Sequence, residues 1–204
     1  MIPRQPAEQD TRSRILQAAE DLLHLHGPEK MTVVEVARHL GMSHANVYKH
    51  FASKAELRSA VVELWLARVT KSLAPIVTAD AGADRRIRDW VRKLVGIKRA
   101  KVHDDPEMFR TYHALAESAR GAVEHHIAGM TAQLATILRD GETRGEWRVS
   151  DPEASARALL NATLRFHHPH FLMDTVPNDS ELEQVLDLLI AGLQGQRATP
   201  PAVP

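Results

Sequence analysis

The chain has no cysteine, so no disulfide braces it and no thiolate can bind a metal, a composition in keeping with a reducing compartment. Aromatic residues are scarce, with three tryptophans, two tyrosines and four phenylalanines in 204 residues. Net charge is absent too, 26 basic against 26 acidic side chains, so the overall field attracts neither nucleic acid nor an acidic surface. No apolar run approaches the length of a membrane span, and the polar opening from Met1 to Arg14 lacks a signal-peptide core. A cytoplasmic protein with no membrane partner is expected. The ten glycines compose no G-x-G-x-x-G, and G-x-S-x-G, P-loop and H-E-x-x-H patterns are also missing. Neither an enzyme nor a bound cofactor is expected. Strand-like alternation and internal repeats are absent, which leaves an all-α fold.

What is present is concentrated between Met31 and Leu57, MTVVEVARHLGMSHANVYKHFASKAEL. Thr32 and Glu35 have the spacing of a capping box at a helix start. Val33, Val36, Ala37 and Leu40 recur at helical spacing, and Gly41 suits the left-handed residue that ends a helix. Ser43 is placed to cap the next helix. Ala37, Gly41 and Val47 give close helix contact, a sharp turn and a core plug, the requirements of a helix-turn-helix. Ser53 and Glu56 form a second capping-box pattern, so another helix follows at once. His44 to His50 then reads as a recognition helix for the DNA major groove. His44, Asn46 and Lys49 can bond base edges, and Ala45 is small enough to approach a thymine methyl. Tyr48, His50 and Lys54 suit phosphates, which fix register without reading sequence. Charge is distributed accordingly. From Arg38 to Arg58 there are four Lys/Arg against one acid, whereas from Gly121 onward six face eleven acids.

The run Thr32…Ala37…Gly41-x-Ser43…Val47-Tyr48-x-His50-Phe51-x-Ser53-Lys54-x-Glu56-Leu57 resembles the N-terminal signature of tetracycline-repressor-type (TetR family) transcriptional regulators. The resemblance extends back through Ile15-Leu16-x-Ala18-Ala19-x-x-Leu22-Leu23…Gly27 and covers about 50 residues. It implies an all-helical homodimeric regulator whose second half binds a small molecule. It also implies that Thr32, Tyr48 and Lys54 contact phosphates while residues 43–50 read bases. Many such regulators carry a polar or basic residue after the matching threonine; Val33 stands there, so readout is expected to rest on the third helix.

Along the chain, Met1 to Asp10 is expected to be a mobile tail and the first helix to run from Thr11 to His26. Arg4, Arg12 and Arg14 lie where they could meet phosphates. A fourth helix from Ser53 is expected to kink or end at Pro75. The breaker-containing stretch Thr78 to Ala83 is the best linker. The domain reading is therefore a helix-turn-helix domain at 1–56, a connecting helix at 57–78, a ligand-binding and dimerisation domain at 79–196, and a disordered tail at 197–204. The fifth helix carries Arg85, Arg86, Arg88, Arg92, Lys93, Lys98, Arg99 and Lys101 on what reads as a solvated basic outer face. Trp90, Met108, Phe109, Tyr112, Met130 and Phe166, with His113 and His167 as polar handles, compose a candidate small-molecule pocket. Ser150-Asp151-Pro152-Glu153 opens the eighth helix. Ala154, Ala158, Leu159, Ala162 and Phe166 form one apolar stripe on it, and Leu160 and Leu164 form another. With Leu182, Val185, Leu186, Leu189 and Leu193 on the ninth, these predict a homodimer through the last two helices. The expected function is an effector-controlled repressor bound to a double-stranded DNA operator. Its rivals are a metal-responsive regulator using His167, His168 and His170, a helical enzyme and a protein-interaction module.

Overall fold

The computed structural model describes residues 6–174 and 178–195, with side chains placed over 10–173 and 178–195. Eleven helices and no strand occur among the described residues: α1 (Pro6–His26), α2 (Val33–His39), α3 (His44–His50), α4 (Lys54–Val77), α5 (Ala83–Asp104), α6 (Pro106–Ser118), α7 (Arg120–Thr143), α8 (Pro152–Ala162), α9 (Leu164–His167), α10 (Pro169–Asp174) and α11 (Asp179–Gly195). They form two compact units. Unit 1 comprises residues up to Ala67 together with Glu107–His125, and unit 2 comprises Arg68–Pro106 with the residues from His126 onward. The division falls inside α4.

Several boundaries differ from the sequence reading. The first helix begins at Pro6 rather than Thr11, because a proline at the first helical position loses no hydrogen bond there. The mobile-tail expectation therefore fails for residues 6–10; its first five residues, Arg4 among them, and the predicted disordered tail at 197–204 lie outside the described residues. α4 continues through Pro75 to Val77, since the proline sits in the last turn, where little helix remains to be disrupted. The predicted eighth helix is broken at Thr163. Its hydroxyl donates back to the carbonyl of Leu159 at 2.8 Å, and its backbone, at φ −98° and ψ 4°, departs from helical geometry, so α8 and α9 are separate. Pro169 then separates α9 from α10.

In unit 1, Ile15, Leu23, Met31, Val47, Phe51 and Leu57 are fully buried, and α2 packs against both α1 and α3. The helix-turn-helix follows from two local motifs. Thr32 has extended backbone, and its Oγ1 accepts the Glu35 amide at 3.2 Å. Only half of the predicted capping box forms, because the Glu35 carboxylate turns to Arg38 at 3.0 Å while the Thr32 amide donates to Lys30. α2 ends in a Schellman motif. Gly41 has φ +63°, its amide donates to Arg38, and the Met42 amide donates to Ala37 at 2.9 Å. Residues 107–125 join unit 1 through a polar and aromatic contact. The Tyr112 ring on α6 stacks on Trp65 of α4 at 4.7 Å, and its hydroxyl donates to buried Glu20 of α1 at 2.9 Å.

Unit 2 has its own core, in which Leu73, Ile87, Trp90, Leu94, Leu134, Leu138, Trp147, Ala156 and Leu186 are buried. The N-terminus of α5 is capped from a distance. The Glu146 carboxylate accepts the Ala83 amide at 2.9 Å and the Asp84 amide at 3.3 Å, using the orphan donors that every helix start exposes. Next to it, the Trp147 indole donates to the Leu138 carbonyl at 2.9 Å and lies against Gly141.

Candidate nucleic-acid interface

α3 is the candidate reading element. Ser43 caps it, its Oγ accepting the Asn46 amide at 3.2 Å. Of its seven residues only Val47 is buried, the core plug that the sequence predicted. His44, Ala45, Tyr48 and Lys49 are exposed, Tyr48 by 51%. Asn46 and His50 are half-buried, and the Asn46 amide nitrogen lies 3.8 Å from the Met42 sulfur, a weak contact that a base edge could displace. Lys54 is exposed at the first turn of α4, where Ser53 Oγ accepts the Glu56 amide at 3.1 Å and Glu56 in turn accepts the Ala52 amide at 2.6 Å. Ser43 and Thr32 each use an oxygen lone pair for capping, so their hydroxyl protons stay available to a phosphate.

The structure places three further side chains around this surface. Val33 is buried, and the exposed position beside it on α2 is Val34, 50% accessible. The apolar stripe containing Val33, Val36 and Ala37 already placed Val33 on the inner face. Arg12, a candidate phosphate contact, has its guanidinium 4.7 Å above the Phe51 ring. Arg58 is half-buried and donates to the Pro28 carbonyl at 2.8 Å, which ties α4 to the loop before α2.

The candidate pocket residues are divided between the units. Phe109 and Tyr112 are buried in unit 1, with Met108 and His113 partly exposed beside them. Trp90, Met130, Phe166 and His167 are buried in unit 2. Polar side chains adjoin them there. The Trp90 indole donates to Gln133 at 2.8 Å, Gln133 donates to the Thr70 carbonyl at 2.9 Å, and Thr70 Oγ1 lies 2.9 Å from His126 Nδ1.

The basic outer face of α5 is also corrected. Arg86 is buried, paired with Asp140 and donating to the Val77 carbonyl at 2.8 Å, and Lys98 is buried as well. Arg88 meets Asp187 at 2.6 Å, Arg92 meets Glu183 at 2.7 Å, and Arg99 pairs with Asp179. The acids recur every fourth residue on α11, so the two helices are laced antiparallel, and Arg92 holds the Glu183 carboxyl below the usual carboxylate range. Arg86, Arg88, Arg92 and Arg99 are thus paired within unit 2, while Arg85 and Lys93 remain exposed.

The structure does not bring together the histidines of the metal alternative. His167 is turned inward, its Nε2–H donating to the Leu160 carbonyl at 3.3 Å, whereas His170 across Pro169 is exposed. Among the described residues no three histidine or acidic side chains gather as a metal would require. The Asp174 side chain lies outside them.

On α8 the buried residues are Ala156, Leu159 and Leu160; the expected stripe is split, with Leu159 and Phe166 buried and Ala158 and Ala162 exposed in the single chain. On α11, Leu182, Leu186, Ile190 and Leu193 are buried while Leu188 is 75% exposed. No described helix is long and apolar enough to cross a membrane.

Residues 15–61 match the family described as bacterial regulatory proteins, tetR family. Residues 83–186 match the tetracyclin repressor-like C-terminal domain. Over 167 residues, 78% of this chain and 82% of the relative, the sequence is 26% identical to the nucleoid occlusion factor SlmA of Enterobacter. A TetR-family regulator of Pectobacterium atrosepticum has the same fold, with TM-score 0.64, 19% identity, and coverage of 97% of this chain and 100% of that one. The SmeT–triclosan complex superposes with TM-score 0.60 at 24% identity, covering 96% and 98%.

Proposed function

Because the chain belongs to the TetR family of bacterial transcriptional regulators, we propose that it is a homodimeric repressor whose operator binding is released by a small molecule held in the C-terminal half. Its functional parts are the DNA-binding residues 1–56, the connecting residues 57–78 and the effector and dimer residues 79–196. The observation that carries the DNA reading is α3 itself, a capped helix that buries Val47 and presents His44, Ala45, Tyr48 and Lys49 outward. Ser43 and residues 44–50 read bases or flank them, while Thr32, Tyr48, His50 and Lys54 hold phosphates. Two such heads would enter successive major grooves about 34–36 Å apart on a near-palindromic site.

Dimerisation is assigned to α8 and α11. In the single chain their exposed faces carry Ala158, Ala162, Leu188, Ala191 and Gly192, small or apolar residues that allow two helices to approach closely. The effector reading is supported by a separate apolar core in unit 2 with polar groups among its buried aromatics, and by SmeT, solved with triclosan on the same fold. An effector shifts the equilibrium only through unequal affinity for the DNA-competent and released forms.

The test is selection of bound DNA from a random pool by the full chain, followed by mobility shifts with and without a metabolite library. A near-palindromic consensus bound by a dimer and released by at least one compound is expected. Failure to enrich any sequence, or complexes indifferent to salt, would overturn the DNA reading.

A further inference from the structure

The turn between α2 and α3 grips one residue of the reading helix twice. Ser43 Oγ accepts the backbone amide of Asn46 at 3.2 Å. The side-chain Nδ2 of the same residue lies 3.8 Å from the Met42 sulfur, in reach of a weak N–H···S bond. Met42 is itself pinned, since Gly41 before it is left-handed at φ +63° and the Met42 amide donates to the Ala37 carbonyl at 2.9 Å. Of the three candidate base readers, His44 and Lys49 are exposed, whereas Asn46 is held at half burial beside half-buried Met42.

An asparagine amide turns easily about its last torsion, whose energy profile is broad. Left free, Asn46 would present oxygen and nitrogen to a base in either order. A thioether accepts and does not donate, so it selects the orientation with Nδ2 towards Met42. That nitrogen has two protons, one cis and one trans to Oδ1, and bonding one to sulfur leaves the other for a base. In the major groove adenine offers the N6 donor beside the N7 acceptor, which match Oδ1 and the cis proton of an asparagine; guanine offers acceptors alone. The helix start does not itself require sulfur. Met42 precedes the cap, a position from which an apolar side chain staples to the fourth helical residue, here buried Val47. Leucine would serve that purpose equally.

We propose that Met42 is a positioning residue for DNA recognition. Its thioether takes the Nδ2 proton trans to Oδ1 and holds the Asn46 amide with its adenine-matching edge free for the base. The specificity it confers is for adenine over guanine at the base pair that Asn46 meets. Because the amide is ordered before DNA arrives, the sulfur acts on the choice of base and not on the phosphates that dock the head. This inference rests on the DNA reading above, in which Asn46 bonds a base edge.

The test uses the full-length protein on the duplex recovered by random-pool selection. Asn46→Ala is scanned against single-base variants to locate the position it reads, where adenine is then exchanged for guanine and for 7-deazaadenine, which lacks the N7 acceptor. The unmodified protein should prefer adenine about 5- to 150-fold, the worth of one bidentate pair. Met42→Leu keeps an apolar side chain and removes the acceptor. It should lower that preference about two- to tenfold, the worth of one hydrogen bond, with the salt slope and thermal midpoint unchanged. Added to Asn46→Ala, it should change nothing at that position. A methionine that only supports the turn would lose affinity evenly on all duplexes, and that result overturns the proposal, as does a folded Met42→Leu with its adenine preference intact. If Met42→Leu does not fold, nuclear Overhauser contacts in the unmodified protein decide. A stronger contact from the Met42 methyl to the trans than to the cis Nδ2 proton supports the proposal; the reverse, or neither contact, overturns it. Equal losses by Asn46→Ala on every duplex, or reading of a base other than adenine, refute Asn46 as an adenine reader and this proposal with it. An adenine preference lost in Asn46→Ala but kept in Met42→Leu refutes the role of Met42 alone.

Discussion

Gly141→Ala sets two opposed effects of known size against each other. Gly141 lies in α7, where alanine is favoured over glycine by about 1 kcal/mol of helix propensity. Against this, a methyl group built on Gly141 falls 2.5 Å from Cε2 of Trp147 and 2.8 Å from Cβ of Ala83. Neither neighbour is the free end of a flexible chain. Trp147 is fully buried and its indole is bonded to Leu138, and Ala83 opens α5 under the Glu146 cap. Overpacking of this kind costs about 1–3 kcal/mol, and a displaced indole would add roughly 1 kcal/mol for its lost hydrogen bond. The net expectation is a loss of about 1–3 kcal/mol, or roughly 3–10 °C in Tm for a chain of this length. Urea and thermal denaturation followed by circular dichroism and tryptophan fluorescence measure it. Gly121→Ala on the same helix, with nothing within 4 Å of its added carbon, is the control and should be neutral or slightly stabilising. A Gly141→Ala protein as stable as the unmodified one would refute the packing argument.

Lys54→Ala should weaken DNA binding evenly across operator variants and reduce the salt slope by about 0.9, one phosphate's worth, in mobility shifts at several salt concentrations. Asn46→Ala should instead cost about 1–3 kcal/mol at one or two base positions, so equal losses on every operator variant would remove it from the readers. Ser43→Ala deletes the α3 cap and should cost about 0.5–2 kcal/mol of stability by denaturation, besides its effect on DNA. His167 has a folded-state pKa lowered to about 4, so between roughly pH 6.5 and 4 the unfolded chain binds the extra proton. Its contribution is therefore fully present above pH 6.5 and is lost as pH falls through that window. His167→Gln should flatten the fall in Tm over the same range. Glu183→Gln removes one exposed rung of the α5–α11 lacing and should cost less than about 1 kcal/mol, with smaller effect at high salt.

The helix-turn-helix was legible because every signal for it is local. Thr32, Gly41, Ser43 and Ser53 act on backbone within a few residues of themselves, and the spacing of Val36, Ala37 and Val47 fixes the buried face. The same spacing turns Val33 inward and Val34 outward. The arginines of α5 were misread. A helical wheel separates charged from apolar faces but does not show which charged face will meet another helix. Asp179, Glu183 and Asp187 lie at least 80 residues from their arginine partners.

The sequence by itself determined the all-helical class, the family, the capped helix pair and the residues that α3 turns outward, because helix periodicity and end chemistry are set by near neighbours. Tertiary packing alone decided that Glu20, Trp65 and Tyr112 carry α6 into unit 1. It also decided that the acids of α11 pair with arginines of α5, and that Lys98 and His167 are buried. Those outcomes depend on which distant surfaces meet, and burial changes the charge state and energy of a group only after they have met.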